Sequence, residues 1–421
     1  MLRRVRREFE QGKSLLQFGA LKGVGDTCGM VASLLVAKYF SSELFGSYSL
    51  TRMLVFFFSA MLISSSQTPF IVLAGQEKND SGRINKTFTV QVLLFAASLG
   101  VFAVVVTALG RYAAAFAGIS RYDLWFALLA FVGLAMKTFL CNLFLAMNER
   151  ARSSLADLVF GTATLAWVVA FGLMDRVTLR TVFLAHFLAA ALVAALFARR
   201  IDMSQLRPIT LDRRHLVRML HFTKWLVLGT AAAYFINWGD NIVLRAVVSM
   251  EDIGDYNLGY QIFKGVSMLV LIIPAYLLPF VSRHIKDSDR MRSYLYNKRP
   301  KIFLLGLALI IVAFAAAAPA FRWAYGEAYH GSMPVLRILF VAPVIILYAV
   351  FYEGILYALE RYRFAQAANV AQVVLNLALD VLLVPAMGIR GAALATVCAY
   401  LCRTVMVEVY FQVRLKPLMN L

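Results

Sequence analysis

Two stretches of this chain repeat one pattern at an offset of about 208 residues. Ser41-Ser42-Glu43-Leu44-Phe45-Gly46-Ser47-Tyr48-Ser49-Leu50 is echoed by Ser249-Met250-Glu251-Asp252-Ile253-Gly254-Asp255-Tyr256-Asn257-Leu258. The Ser, Glu, Gly, Tyr and Leu positions agree without a gap. Each stretch runs on into an apolar segment ending in Pro-Phe, at Pro69-Phe70 and Pro279-Phe280. The offset is close to half the 421 residues. A chain made of two similar halves is expected to fold as two similar bundles, which fixes topology before any single residue does.

The environment follows from composition. The chain is 61% hydrophobic, with a mean hydropathy of +0.73; a soluble domain does not carry so much apolar surface. A bilayer-spanning helix needs roughly 20 apolar residues. About twelve such segments can be read, centred near Gly29, Met61, Gln91 to Thr107, Phe131, Ala166 and Leu188, then Ile236, Leu269, Ile310, Ile346, Leu377 and Ala399. The expectation is an all-α, polytopic membrane protein of two six-helix bundles, 1–200 and 221–421, joined by a polar linker over 201–220 that holds Pro208. The first apolar segment contains Lys22 and Asp26 and no small-residue cleavage site, so it reads as a span and not a cleaved signal.

The net charge of +19 does not imply nucleic acid, because the basic residues cluster in alternate loops. Arg3 to Lys13, Lys78 to Lys86, Arg150 and Arg152, Arg199 to Lys224, Arg283 to Lys301, Arg361 and Arg363, and Arg414 and Lys416 hold roughly two thirds of all Lys and Arg. The positive-inside rule then puts both termini in the cytoplasm and gives an even span count. With six spans per half, the repeats are parallel and their pseudo-twofold axis runs along the membrane normal. Anionic headgroups of membrane lipids account for most of this charge. Asn79-Asp80-Ser81 and Asn85-Lys86-Thr87 match a glycan acceptor pattern, but the same topology holds them inside.

Ionisable residues within spans are functional candidates by default, since a charge in the bilayer is costly. The bases are Lys22, Arg52, Lys137, Arg245 and Lys264; an anion-binding cavity would form if several face one space, with charge-assisted bonds to phosphate. The acids Asp26, Asp240, Glu353 and Asp380 are candidates for carrying a coupling proton or sodium ion. Lys22 and Asp26 share a helical face and can instead form a local pair. Asp380 and Arg403 can pair between the last two spans. Tyr234, Trp238 and Tyr260 could stack on sugar rings, although aromatic residues in spans more often pack or anchor.

Other features read blandly. His186 reads as a hydrogen-bonded packing residue, and Cys28, Cys141, Cys398 and Cys402 as free thiols in apolar segments without metal-site spacing. Gly23, Gly25 and Gly29 follow no strand, so they suit close helix contact better than a nucleotide loop. Pro69, Pro274, Pro279, Pro343 and Pro385 can kink or end spans. Neither a phosphate-binding Gly-Lys-Ser/Thr loop nor a metal motif occurs, so no cofactor is expected.

The second half also carries a recognisable order of motifs. Asp240-Asn241-Ile242-Val243-Leu244 is followed by Gly254-Asp255-Tyr256, Tyr325-Gly326-Glu327-Ala328-Tyr329 and Pro334-Val335-Leu336-Arg337-Ile338-Leu339. Asn376-Leu377-Ala378-Leu379-Asp380, Pro385 and Met387-Gly388-Ile389-Arg390-Gly391-Ala392-Ala393 come next. This order resembles the Wzx-type polysaccharide transporters of the multidrug/oligosaccharidyl-lipid/polysaccharide (MOP) superfamily, over essentially the whole chain. The resemblance implies an alternating-access flippase for undecaprenyl-pyrophosphate-linked oligosaccharides in a bacterial inner membrane. It also implies lipid-linked oligosaccharide as cargo, with a glycan polymerase and a chain-length regulator as partners. Peptidoglycan-precursor flippases of the superfamily carry cations on spans one, two and eight, the spans of Lys22, Arg52 and Lys264 here. The competing expectation is an ion-coupled multidrug exporter of the same superfamily, which would need an acid-dominated cavity. A membrane enzyme is disfavoured because the expected outer loops are short, the longest being about Gly110 to Asp123.

Overall fold

The structure, a computed structural model, describes residues 2–270, 273, 281, 283–285, 287–326 and 328–419. Pro274, Pro279, Phe280 and Glu327, singled out above, lie outside the described residues. The described residues form helices and no strand. Eleven of these helical segments are long and apolar enough to cross a membrane. The expected eighth span coincides with the helix Met250–Val270 and with 271–280, most of which is not described.

The chain packs as two compact units. The first comprises Met1–Phe40 and Ser47–Ala231. Its helices are α1 (Leu2–Tyr39), α2 (Ser42–Phe58) from Ser47 on, α3 (Gln67–Ser81), α4 (Asn85–Ala117), α5 (Arg121–Ala146), α6 (Arg150–Leu173), α7 (Leu179–Phe197), the short α8 (Met203–Leu206) and α9 (Arg213–Trp238) up to Ala231. Local chemistry sets the ends. The Ser120 hydroxyl caps α5 by accepting from the Asp123 amide at 3.0 Å. Thr178 and Thr181 form a reciprocal capping box at the start of α7. Gly82 and Gly118 end α3 and α4 with φ of 71° and 66°, which glycine adopts without strain. Pro69 sits in the first turn of α3, where a missing N–H costs nothing.

Close approach of α1 and α6 depends on two glycines. A Cβ on Gly161 would lie 2.1 Å from the Gly25 carbonyl oxygen, and one on Gly25 would lie 2.7 Å from the Asp157 carbonyl oxygen. Small residues let membrane helices touch at the backbone in this way. Gly23 and Gly29 meet nothing within 4 Å, so only Gly25 of the three has the contact role.

The expected linker is built into the first unit. The Ile84 amide donates to the Gln205 carbonyl at 3.0 Å, and Asn85 Nδ2 donates to the Pro208 carbonyl at 2.8 Å and Thr210 Oγ1 at 2.9 Å. Lys86 pairs with Asp212 at 3.4 Å. The Glu77 carboxylate, on α3, accepts the Lys86 and Thr87 amides at 2.9 and 2.8 Å and so caps α4 from outside it.

The second unit comprises Ser41–Gly46 and Ala232–Leu421. It contains α10 (Asp240–Val247), α11 (Met250–Val270), α12 (Ser288–Ser293), α13 (Arg299–Tyr325), α14 (Ser332–Leu339), α15 (Val341–Ala358), α16 (Tyr362–Met387), α17 (Ile389–Tyr410) and α18 (Lys416–Leu418). Single π-helical turns, Tyr294–Lys298 and Phe411–Leu415, follow α12 and α17. The repeated motif explains itself here. Ser42 Oγ donates to the Glu251 carbonyl at 2.8 Å and to Asp255 Oδ1 at 3.0 Å. A Cβ on Gly46 would lie 2.1 Å from the Met250 oxygen, and one on Gly254 would lie 1.9 Å from the Ser42 oxygen. Each copy's glycine therefore makes room for the backbone of the other copy.

Pro385 and Gly388 shape the α16–α17 hairpin. Pro385 lies two residues before α16 ends, and Gly388 follows with φ 58° and ψ −140°, a conformation costly for any side chain. Gly391 tucks against Leu383, whose carbonyl oxygen would be 2.5 Å from an added Cβ. This is the physical content of the Met387-to-Ala393 motif.

Candidate functional site

In the first unit the α1–α6 crossing assembles a charge cluster. Lys22 sits one turn before Gly25, and Asp157 one turn before Gly161, so the glycine contact brings them face to face. Lys22 Nζ lies 3.4 Å from Asp157 Oδ2 and 3.8 Å from Asp26 Oδ2. Lys137 on α5 reaches the other Asp157 oxygen and rests 5.1 Å over the Phe160 ring. The Cys141 thiol donates weakly to the same oxygen at 3.7 Å. The Asp157 side chain is 8% exposed and that of Lys137 15%, whereas Lys22 keeps 45%. Two lysines and two aspartates balance formally. The buried Lys137–Asp157 pair anchors the cluster, and Lys22 is the cation left with open surface.

Arg52 is separate from that cluster. Its Nη1 donates to Ser33 Oγ of α1 at 2.6 Å, and its guanidinium lies 5.4 and 5.5 Å from the Tyr48 and Phe56 ring centroids. His186 accepts no special role: its Nδ1 bonds the Val182 carbonyl at 2.8 Å, the packing arrangement expected of it.

In the second unit the α16–α17 hairpin and α10 converge on Asp240. Tyr256 and Asn376 donate to its two oxygens, and Thr396 Oγ1 donates at 3.0 Å. Asn376 Nδ2 also donates to Asp380 Oδ2 at 3.1 Å, so one amide ties the two carboxylates together. Asp240 is 3% and Asp380 0% exposed. Asp380 Oδ1 is buried without a hydrogen-bond partner. Among the described residues neither carboxylate makes an ion pair with Lys, Arg or His. Two adjacent buried carboxylates cannot both hold an uncompensated charge. The site therefore suits one shared proton or one small hard cation bound by carboxylate and hydroxyl oxygens.

Arg245 and Lys264, also in the second unit, are half-buried; Lys264 Nζ lies 6.0 Å from the Trp238 ring centroid. The five sequence-expected bases thus fall into distinct settings: Lys22 with Lys137, Arg52 on Ser33, and Arg245 and Lys264 in the other unit. One expectation is corrected. Arg403 does not pair with Asp380; its Nη1 bonds Glu353 and its Nε donates to Asn369 Oδ1 at 2.8 Å. The side chain reaches α15 and α16 from α17, and Glu353 is thereby neutralised. Asp157 is the residue the sequence reading missed. An acid seven residues into an apolar span was the available signal.

Comparison with known proteins follows the same line. Residues 156–334 match the family model described as polysaccharide biosynthesis protein. A probable low-salt glycan biosynthesis flippase, Agl15 of Haloferax volcanii, is 24% identical over 190 residues, 45% of this chain. The match spans 40% of that relative's length. A lipid II flippase, MurJ, in an inward closed conformation superposes with a TM-score of 0.78 at 13% identity, over 94% of this chain and 87% of that one. The chain has the fold of this flippase. The MATE transporter VcmN of Vibrio cholerae, in a bent form, gives 0.64 at 14% identity over 95% and 96% of the two chains. These findings bear out the resemblance to polysaccharide transporters and the twelve-helix fold; the relatives are flippases and transporters, and the chain is a multi-pass membrane protein.

Proposed function

We propose that this protein is a flippase that carries an undecaprenyl-pyrophosphate-linked oligosaccharide from the cytoplasmic to the outer leaflet of a bacterial inner membrane by alternating access. The observation that carries this reading is the polysaccharide-biosynthesis family match on a chain with a transporter fold. In the first unit Lys22, the most open ammonium of its cluster, and Arg52 are the cations offered to the pyrophosphate, with Lys137 holding Asp157 in place; in the second unit Arg245 and Lys264 are the cations offered. Asp240 and Asp380, bridged by Asn376, take up the coupling proton or sodium ion. Asp26 modulates Lys22, and both termini lie in the cytoplasm. A polymerase and a chain-length regulator would receive the cargo.

The second reading, ion-coupled export of organic cations, draws on the buried Asp240–Asp380 pair and on the likeness in fold to a multidrug resistance MATE family transporter. Proteoliposomes separate the two. The wild type should deliver a pyrophosphate-linked glycan to the far leaflet, and Lys22→Ala, Arg245→Ala and Lys264→Ala should each slow delivery at least tenfold while remaining folded. Export of organic cations without glycan delivery would replace the first reading by the second.

A further inference from the structure

The π-helical turns of the second unit frame a pocket that none of the roles above uses. It has a volume of about 330 Å³ and is lined by Tyr296, Arg299, Tyr348, Tyr352, Phe411 and Gln412, among others. Arg299 is its centre. The guanidinium carbon lies 4.4 Å from the Tyr348 ring centroid, 4.3 Å from that of Tyr352 and 5.9 Å from that of Phe351, so aromatic rings hold it, the two tyrosines most closely. Its Nη1 donates to the Tyr352 hydroxyl at 2.5 Å. The Glu408 carboxylate is occupied differently: its Oε1 accepts from the Tyr348 hydroxyl at 2.7 Å and from Tyr352 at 3.4 Å. Among the described residues Arg299 makes no ion pair. A guanidinium has five N–H donors in a rigid fork, and only one has a partner here. The remaining donors are thus pre-oriented and uncompensated at a pocket wall.

We propose that this pocket binds the phosphate of an anionic glycerophospholipid. An aromatic-clamped arginine with open donors matches phosphate geometry and loses little freedom on binding. Its placement selects a lipid over a soluble phosphate. Positive-inside topology assigns this end of α13 to the cytoplasmic face, and the sequence around the pocket adds Arg292, Lys298, Lys301, Arg414 and Lys416. Immediately along α13, Leu304 and Leu305 are 62% and 64% exposed, and Val413 beside Gln412 is 63% exposed. A headgroup on Arg299 would leave acyl chains against this apolar surface. The π turns supply the geometry, because each shifts the register of its helix by one residue where the pocket opens. The site is independent of the cargo, so its test does not stand or fall with translocation.

The test is native mass spectrometry of the full-length protein titrated with phosphatidylglycerol, with phosphatidylcholine, undecaprenyl pyrophosphate and inorganic phosphate as separate probes. The expected result is one tight phosphatidylglycerol, weakened at least tenfold in Arg299→Ala and several-fold in Arg299→Lys, which keeps the charge and loses the fork. Tyr348→Phe, which keeps the ring, should bind like the wild type. The lipid-induced rise in Tm should shrink in step, while the Tm of Arg299→Lys without lipid stays near that of the wild type. Equal phosphatidylglycerol affinity in wild type and Arg299→Ala would overturn the proposal. So would binding of the isoprenoid pyrophosphate alone, or full competition by millimolar inorganic phosphate.

Discussion

At the residue scale, Asp157 shows what charge pairing in a span requires. Its carboxylate serves Lys22 and Lys137 at once, and it is nearly inaccessible. Removing one partner of a buried pair leaves the other charge uncompensated, at a cost of about 3–5 kcal/mol. Asp157→Asn should therefore lower Tm in detergent markedly, and adding Lys137→Met should recover much of the loss. If the double variant is no more stable than Asp157→Asn, the pair is not the unit that matters. The lysines were legible because a base in an apolar segment stands out. Their shared acid carried the same signal and was passed over; that it serves both lysines was not legible, because spacing on one helix says nothing of which side chain the neighbouring helix presents. Arg403 gives the same lesson: Asp380 and Glu353 are both plausible partners in sequence, and only the helix rotations decide for Glu353.

At the element scale, glycines distinguish contact from mere tolerance. Gly25, Gly161 and Gly254 each lie against backbone, where a methyl group has no room. Gly161→Ala should separate α1 from α6 and cost about 1–3 kcal/mol from overpacking, and it should loosen the Lys22–Asp157 contact. Gly23→Ala, into open space, should be neutral or stabilise by about 0.5–1 kcal/mol through helix propensity. Thermal unfolding of the two variants side by side checks the contrast; equal effects would refute it. The segment before α9 makes a different prediction. Backbone amides of Arg214 and His215 bond Asp212, which caps α9, and these bonds pull its pKa from the usual 3.8 down to about 2. A carboxyl group with a depressed folded value stabilises fully above about pH 4 and loses that contribution as pH falls through about 2. Carboxyl-carbon NMR of labelled Asp212 should show a midpoint near 2; one near 4 would mean the cap is not formed. The 201–220 segment read as a linker from its polarity alone. Its bonds to Ile84, Asn85 and Lys86 are long-range in sequence, so composition could not reveal them.

At the scale of the whole molecule, the repeat and the apolar spans were enough to announce two helical bundles, because bilayer thickness and backbone satisfaction leave few alternatives. The same pattern could not announce that Ser41–Gly46 packs with the second unit, which depends on the glycine contacts between the two motif copies. Nor could it gather Asp240, Asn376, Asp380 and Thr396, whose numbers span both ends of the second half. Under the proposed function that gathering would serve as a single ion-binding unit. A transporter couples an ion to its cargo only when the ion changes the balance between its conformational states. A buried carboxylate pair does so naturally, since its uncompensated charge disfavours the conformation that encloses it until a proton or cation arrives. Translocation by the wild type should therefore rise with sodium or with acidification on one side of the membrane. Asp380→Asn leaves one carboxylate, fully bonded by Tyr256, Asn376 and Thr396, and should retain transport while flattening its dependence on the ion. Asp240→Asn removes the oxygens that three donors share and should impair transport itself. Vesicle assays across sodium and pH gradients read both effects. An ion response in Asp380→Asn as steep as that of the wild type would move the coupling site elsewhere in the chain, and Asp26, at 51% side-chain exposure, would be the next acid to test.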